Sequence, residues 1–188
     1  MSAADLLRRI ISALERVRIP YMLTGSFASS FYGAPRATQD VDLVISGTPE
    51  QIGSLVESLP PPEYYVDRTA ALDAQRTEGQ FNVLDLETGW KIDLIVRKSR
   101  AFSREEFDRR VEVVLHGVPL MMATAEDVVI AKLEWAKMGE SQRQIDDAAN
   151  ILRIRRDRLD EEYLLRWVRE LGLDEQWEAA RKSAGFAD

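Results

Sequence analysis

The sequence predicts an α+β fold: a mixed β-sheet core flanked by helices, followed by a C-terminal helical bundle. Short β-rich runs with period-two alternation, among them "DVDLVI" and "KIDLIV", are interleaved with helical patterns over the first two thirds of the chain. From Thr124 the strand patterns stop and capped helices follow one another. No internal repeat or low-complexity segment interrupts this layout. The expected organisation is therefore a sheet-bearing core over 1–123 and a helical region over 124–188 packed on it.

The elements follow in order. Residues 4–18 read as a helix, because Leu6, Leu7, Ile10, Ile11, Leu14 and Val17 recur on one face, and Ile19-Pro20 ends it. "YMLT", 21–24, is a short strand running into Gly25, and a short helix from Ser26 ends at Gly33 or Pro35. "DVDLVI", 40–45, is a strand. Thr48 and Pro49 open a helix as cap and first residue. "PPPEYYVD" leads into a brief strand, and 69–77 forms one or two helical turns. "FNVLDLETGWKIDLIV" is a hairpin turning around Glu87-Thr88-Gly89. Ser103 with Glu106 three residues on is a capping-box pattern that starts a helix. "VEVVLHGVPLMMA" is a second hairpin turning at His116-Gly117. Trp135, Trp167 and Trp177 sit at helical spacing with apolar residues and are assigned to core or interface packing rather than base stacking. "RIRRDR", 153–158, reads as a solvated helix end.

Composition narrows the chemistry. The chain has 188 residues, no cysteine and one histidine, His116. The lack of cysteine excludes a disulfide framework and thiolate metal sites, and a single histidine removes most zinc-site and Ser-His-Asp readings. A metal here would be held by carboxylates, which suits a hard cation such as Mg²⁺. A net charge of -7 makes the chain a poor non-specific binder of nucleic acid. No stretch approaches the roughly 18 apolar residues of a membrane span, and "MSAADLLRRI" lacks the pattern of a secretory signal. The expectation is a cytoplasmic protein with no membrane partner.

Asp40 and Asp42 stand at i and i+2 of one strand, so both project from the same face while Val41 and Leu43 point into the core. Neighbouring carboxylates repel, and a bound cation resolves the conflict. In "KIDLIV", Ile92, Leu94 and Val96 share one face, leaving Asp93 on the other with Lys91. If this strand lies beside 40–45, Asp93 joins Asp40 and Asp42. Carboxylates around one or two metals suit in-line phosphoryl or nucleotidyl transfer. Gly25 permits a sharp strand-to-helix turn. The helix N-terminus after it, with the Ser26 hydroxyl, offers donors for phosphate.

This ordered set resembles the nucleotidyltransferase superfamily typified by DNA polymerase beta. Within it, "RATQDVD" resembles the R-x-T-x-D-x-D stretch of the AbiEii/AbiGii toxin-like branch, and "EDVVIAKLEWAK…SQRQIDDAANIL" resembles the same group. The likeness covers about residues 20–155. It implies a nucleotidyltransferase-like fold with Gly25 and Ser26 as phosphate binders, and Asp40, Asp42 and Asp93 as ligands of Mg²⁺ or Mn²⁺. Asp93 would also serve as base toward the acceptor. Arg36 and Thr38 would support the loop or touch phosphate, Lys132 would contact the triphosphate or neutralise charge at the transition state, and Asp147 would be the last-motif aspartate, with adjacent Asp146 as the competing match. On helical spacing alone Lys132 reads as solvated, and Asp146 and Asp147 as dipole-stabilising residues near a helix start.

The implied activity is transfer of a nucleoside monophosphate from an NTP to a hydroxyl on RNA, such as a tRNA 3′ end, or on protein, in the manner of a toxin with a cognate antitoxin-like partner. A small-molecule, antibiotic-like acceptor is the alternative within enzymes. A nucleotide-binding module with little turnover, acting through a partner protein, is the alternative outside them.

Overall fold

The computed structural model describes residues 3–186. The described elements are α1 (Ala3–Arg16), β1 (Tyr21–Thr24), α2 (Gly25–Tyr32), β2 (Asp40–Ile45), α3 (Pro49–Glu57), β3 (Tyr64–Val66), α4 (Arg68–Thr77), β4 (Gln80–Asp85) and β5 (Lys91–Val96). They continue with α5 (Ala101–Asp108), β6 (Val111–Leu115), β7 (Val118–Met122), α6 (Ala125–Gly139), α7 (Gln142–Arg155), α8 (Glu161–Leu171) and α9 (Asp174–Ala184). The chain up to Thr24 and Thr38–Met122 form one compact unit. Gly25–Ala37 and the chain from Ala123 onward form a second.

The first unit holds a 7-stranded mixed sheet in the order β3-β4-β5-β2-β1-β7-β6. β2 runs parallel to β5 and β1 parallel to β7, while the other neighbours are antiparallel. Period-two alternation built the central strands as expected: Val41, Leu43, Ile45, Ile92 and Leu94 are buried on one face. α1 lies against β7, and α4 against β4 and β5. The apolar stripe of α1 is buried from Leu6 to Leu14. Thr48 caps α3 in a complete capping box with Gln51, and Pro49 opens the helix. At the β4–β5 turn the buried Asp85 accepts from the backbone N–H groups of Glu87 and Thr88 and pairs with Arg9. His116 and Gly117, at φ 49° and 75°, give the β6–β7 hairpin two consecutive left-handed residues, the requirement of a type I′ turn.

Two local expectations are corrected. The segment 69–77 belongs to a full helix of 10 residues, α4 (Arg68–Thr77), because Asp67 caps it by accepting from the Ala70 N–H and the small Ala71 and Ala74 bury it. Ser103 does not start α5. The helix begins two residues earlier, at Ala101, where Phe102 is drawn into the core, and the Ser103 hydroxyl instead accepts from Arg100 Nε at 2.9 Å.

The second unit packs α6 on α7, α7 on α9, α6 on α8, and α2 on α6 and α7. Thr124 caps α6 by accepting from the Asp127 N–H. The buried carboxylate of Asp127 also accepts from the Tyr163 hydroxyl. Gly33, just past α2, is required by a close approach: a Cβ there would lie 2.9 Å from the Ser29 carbonyl oxygen and 3.2 Å from Ile151. Trp167 and Trp177 are buried as expected. Trp135 is 53% exposed, off the inward face of α6 that Val129, Leu133 and Ala136 define.

Tyr32 of α2 donates its hydroxyl to the Ala123 carbonyl at 2.9 Å. Burial pushes its phenol from the ordinary value of 10.0 up to about 12. The folded chain therefore keeps a proton that the unfolded chain gives up in this range. The associated stability is fully present below pH 10 and is lost as pH rises toward 12. Urea unfolding between these limits should show a Tyr32→Phe variant losing stability less steeply than the parent, by up to about 1.4 kcal/mol per pH unit. Equal slopes would place the alkaline loss at other groups.

Candidate active site

The central feature is the register of two parallel strands. Asp42 of β2 is the direct Cα partner of Asp93 of β5, and Asp40 that of Lys91. Parallel neighbours lie about 4.8 Å apart with side chains on a common face, so the two aspartates stand side by side. The same row continues outward to Asn82 of β4 and to Thr24 of β1. The sheet thus carries a polar row across β4, β5, β2 and β1, with an apolar row on its other face formed by Phe81, Leu94, Leu43 and Leu23. Asn82 and Thr24 were not picked out from the sequence, since only strand pairing brings them into line.

Burial differs along the row. Asp93 is 8% exposed, and its Oδ1 atom is buried without a hydrogen-bond partner. Its Oδ2 atom is 2.9 Å from Lys91 Nζ, which also lies 3.8 Å from Asp40 Oδ1. The hydrogen bond to Asp93 holds the Lys91 ammonium above its usual range, with the charges of Asp93, Asp40 and Asp42 adding to it against a desolvation that works the other way. Thr38 ties the entry to β2 by bonding both backbone groups of Asp40.

These residues fit a divalent cation by donor chemistry. They offer hard oxygen ligands, and Asp93 Oδ1 is a buried acceptor lacking a donor. Among the described residues no group of three carboxylates forms a ready cage.

The second unit holds its own charged cluster. Lys132 of α6 is buried, contrary to its reading from helical spacing as solvated, and its Nζ is 2.8 Å from Asp147 Oδ2. Arg36 Nε is 3.4 Å from the other oxygen of Asp147. The Arg36 guanidinium also donates to the Ser26 hydroxyl, and its backbone N–H to that of Ser30. Asp147, on the inner face of α7, is thus the aspartate that joins Lys132 and Arg36. Asp146 is exposed and accepts from Gln142. Gly25 has φ 63°, the left-handed turn that lets the chain pass from β1 into α2 without a loop. In the basic run, Arg155 stacks on Tyr32 and Arg156 on Phe186.

No protein-family model matches the chain, and no curated protein does. Solved structures do. The solution structure of the antibiotic-resistance factor ANT(2'')-Ia matches over 93% of this chain and 96% of that one, with TM-score 0.60 and 14% identity. An antigenic nucleotidyltransferase-like protein from Paracoccidioides brasiliensis matches over 96% and 93%, with TM-score 0.56 and 17% identity. The fold is nucleotidyltransferase-like. A crystal structure of ANT(2'')-Ia in complex with adenylyl-2''-tobramycin matches over 98% of both chains, with TM-score 0.51 and 14% identity. The sheet of the first unit sets Asp42 beside Asp93, and the helices of the second carry the Lys132–Asp147 pair. No described helix is long and apolar enough to cross a membrane.

Proposed function

We propose that this chain is a metal-dependent nucleotidyltransferase that moves a nucleoside monophosphate from an NTP to a hydroxyl acceptor. The observation that carries the proposal is the pairing of Asp42 with Asp93 in adjacent parallel strands, with one buried Asp93 oxygen lacking a donor. Asp40, Asp42 and Asp93 would hold Mg²⁺ or Mn²⁺. When bound, the cation offsets the negative charge of the triphosphate and of the departing pyrophosphate.

The chain's own groups do the rest. The acceptor oxygen forms a bond to the α-phosphorus, the bond to the β-phosphate breaks, and Asp93 takes the acceptor's proton. The Gly25 and Ser26 donors and the cations of Arg36 and Lys132 are assigned to the triphosphate. Asp147 positions both cations by its two ion pairs. Thr38 positions Asp40 through its backbone. The protein contributes orientation and preorganised charge.

The "RATQDVD" stretch supports placing the chain in the AbiEii/AbiGii toxin-like branch, with RNA or protein as acceptor, an antitoxin-like protein as partner, and the cytoplasm as its place. A second acceptor class, a small hydroxylated molecule, draws support from the net charge of -7 and from the neighbour solved with adenylyl-2''-tobramycin. One assay tests both. The protein is incubated with Mg²⁺, each α-labelled NTP in turn, total RNA and cell protein, and the products are separated by size. Label on RNA or protein supports the first acceptor class, and label only in small products supports the second. No transfer to either, and no rise in Tm with Mg²⁺ and NTP, would overturn the enzyme.

A further inference from the structure

We propose that Lys91 is a built-in counter-cation of the carboxylate site, occupying it until a divalent metal displaces it. The inference rests on Asp40, Asp42 and Asp93 being the metal-binding carboxylates.

Three observations carry it. Lys91 belongs to the same strand face as Asp93, two residues away, and is the direct register partner of Asp40. Its ammonium reaches both, at 2.9 Å from Asp93 Oδ2 and 3.8 Å from Asp40 Oδ1. The Asp93 carboxylate it neutralises is buried, and the other oxygen of that group has no donor. An ammonium hydrogen-bonded to a carboxylate occupies the same acceptor lone pairs that a hard cation would use. A cation bound beside a fixed ammonium would also meet like-charge repulsion. Lys91 must therefore move before Asp93 can ligate through both oxygens.

Its side chain can do so, because it is 38% exposed and ends a flexible four-carbon stem. Two consequences follow. The free protein binds divalent cations weakly, since each binding event first breaks the Lys91–Asp93 pair. The metal then enters most readily together with polyphosphate, whose negative charge offers the displaced ammonium a new partner.

Titration calorimetry with Mn²⁺ alone, without nucleotide, tests this on the parent, Lys91→Met and Asp93→Asn. Lys91→Met should bind Mn²⁺ roughly tenfold more tightly than the parent, given one positive charge removed within a few ångström of the site. Asp93→Asn should lose binding. If Lys91→Met is not folded by circular dichroism, Lys91→Gln, which keeps a hydrogen-bonding group without the charge, takes its place. Equal or weaker affinity in the lysine variant, with binding still lost in Asp93→Asn, would overturn the role of Lys91 and leave the metal site standing. Mn²⁺ binding unaffected by Asp93→Asn, or absent from every variant, would overturn the site and the counter-cation together.

Discussion

Asp42→Asn should lower nucleotidyl transfer by about 10³-fold or more while the protein stays folded, since it removes a charge the site uses and almost no volume. Asp42 is half-buried at the centre of the sheet, flanked by Thr24 on one side and Asp93 on the other. Replacing it with the isosteric amide keeps both strand ladders and relieves repulsion between adjacent carboxylates. Thermal unfolding should move by only a few degrees in either direction, the range of a substitution that leaves packing intact. The labelled-NTP assay reads the loss directly. Transfer retained within tenfold in a folded Asp42→Asn protein would remove the carboxylate pair from the chemistry.

Lys132→Met should cost stability, in contrast to Asp42→Asn. Lys132 and Asp147 are both buried and 2.8 Å apart, so removing the ammonium strands a carboxylate in the interior. Breaking such pairs typically costs about 3–5 kcal/mol, and the remaining Arg36 contact at 3.4 Å holds the loss to roughly 2–3 kcal/mol. That corresponds to a fall in Tm of roughly 5–10 °C for a chain of this size. The double variant Lys132→Met with Asp147→Leu should regain part of the loss, because the stranded carboxylate is gone while Arg36 loses its ion pair. Activity separates structure from chemistry. If the Lys132–Asp147 pair, with the Arg36 that Asp147 positions, serves the triphosphate, the restabilised double variant stays inactive. If transfer returns with stability, the Lys132–Asp147 pair serves the fold alone. Stability losses that simply add would show that the two residues do not act as a pair.

How far the site was legible depended on the kind of information each part needed. Asp40, Asp42 and Asp93 were readable because strand alternation fixes faces two residues at a time, and "DVDLVI" and "KIDLIV" share the same alternation. Their adjacency needed the parallel register of β2 with β5, which no local pattern contains. Lys91 was visible on the Asp93 face, but its contact with Asp40 appears only once the strands are paired. Lys132 shows the opposite limit. Its helix reads as a solvated lysine among apolar neighbours, and burial follows only from α7 packing against α6 with Asp147 facing inward. Only the resemblance to known motifs pointed to it.

Most of the fold was carried by strong local signals. β1 and β2 span the residues expected of them, 21–24 and 40–45, and the two hairpins turn at Gly89 and at His116-Gly117. The misread segments had weak or misleading local chemistry. α4 buries only small alanines and so lacks an apolar stripe. In α5 the Ser103–Glu106 spacing imitates a helix start, while burial of Phe102 sets the true one.

The helical unit draws Gly25–Ala37 from a point in the chain far before the rest of it. A protein emerging from the ribosome would thus expose α2 before α6 and α7, on which it packs, have been made. Until then Phe27, Ala28 and Tyr32 have no native surface to bury against. Translation order makes this segment an early, sticky hydrophobic stretch. Truncation at residue 123 would preserve that state permanently, since it removes α6 and α7 and leaves α2 behind. A fragment carrying the whole sheet is therefore expected to aggregate, and a tractable dissection of this protein must keep both ends of the chain.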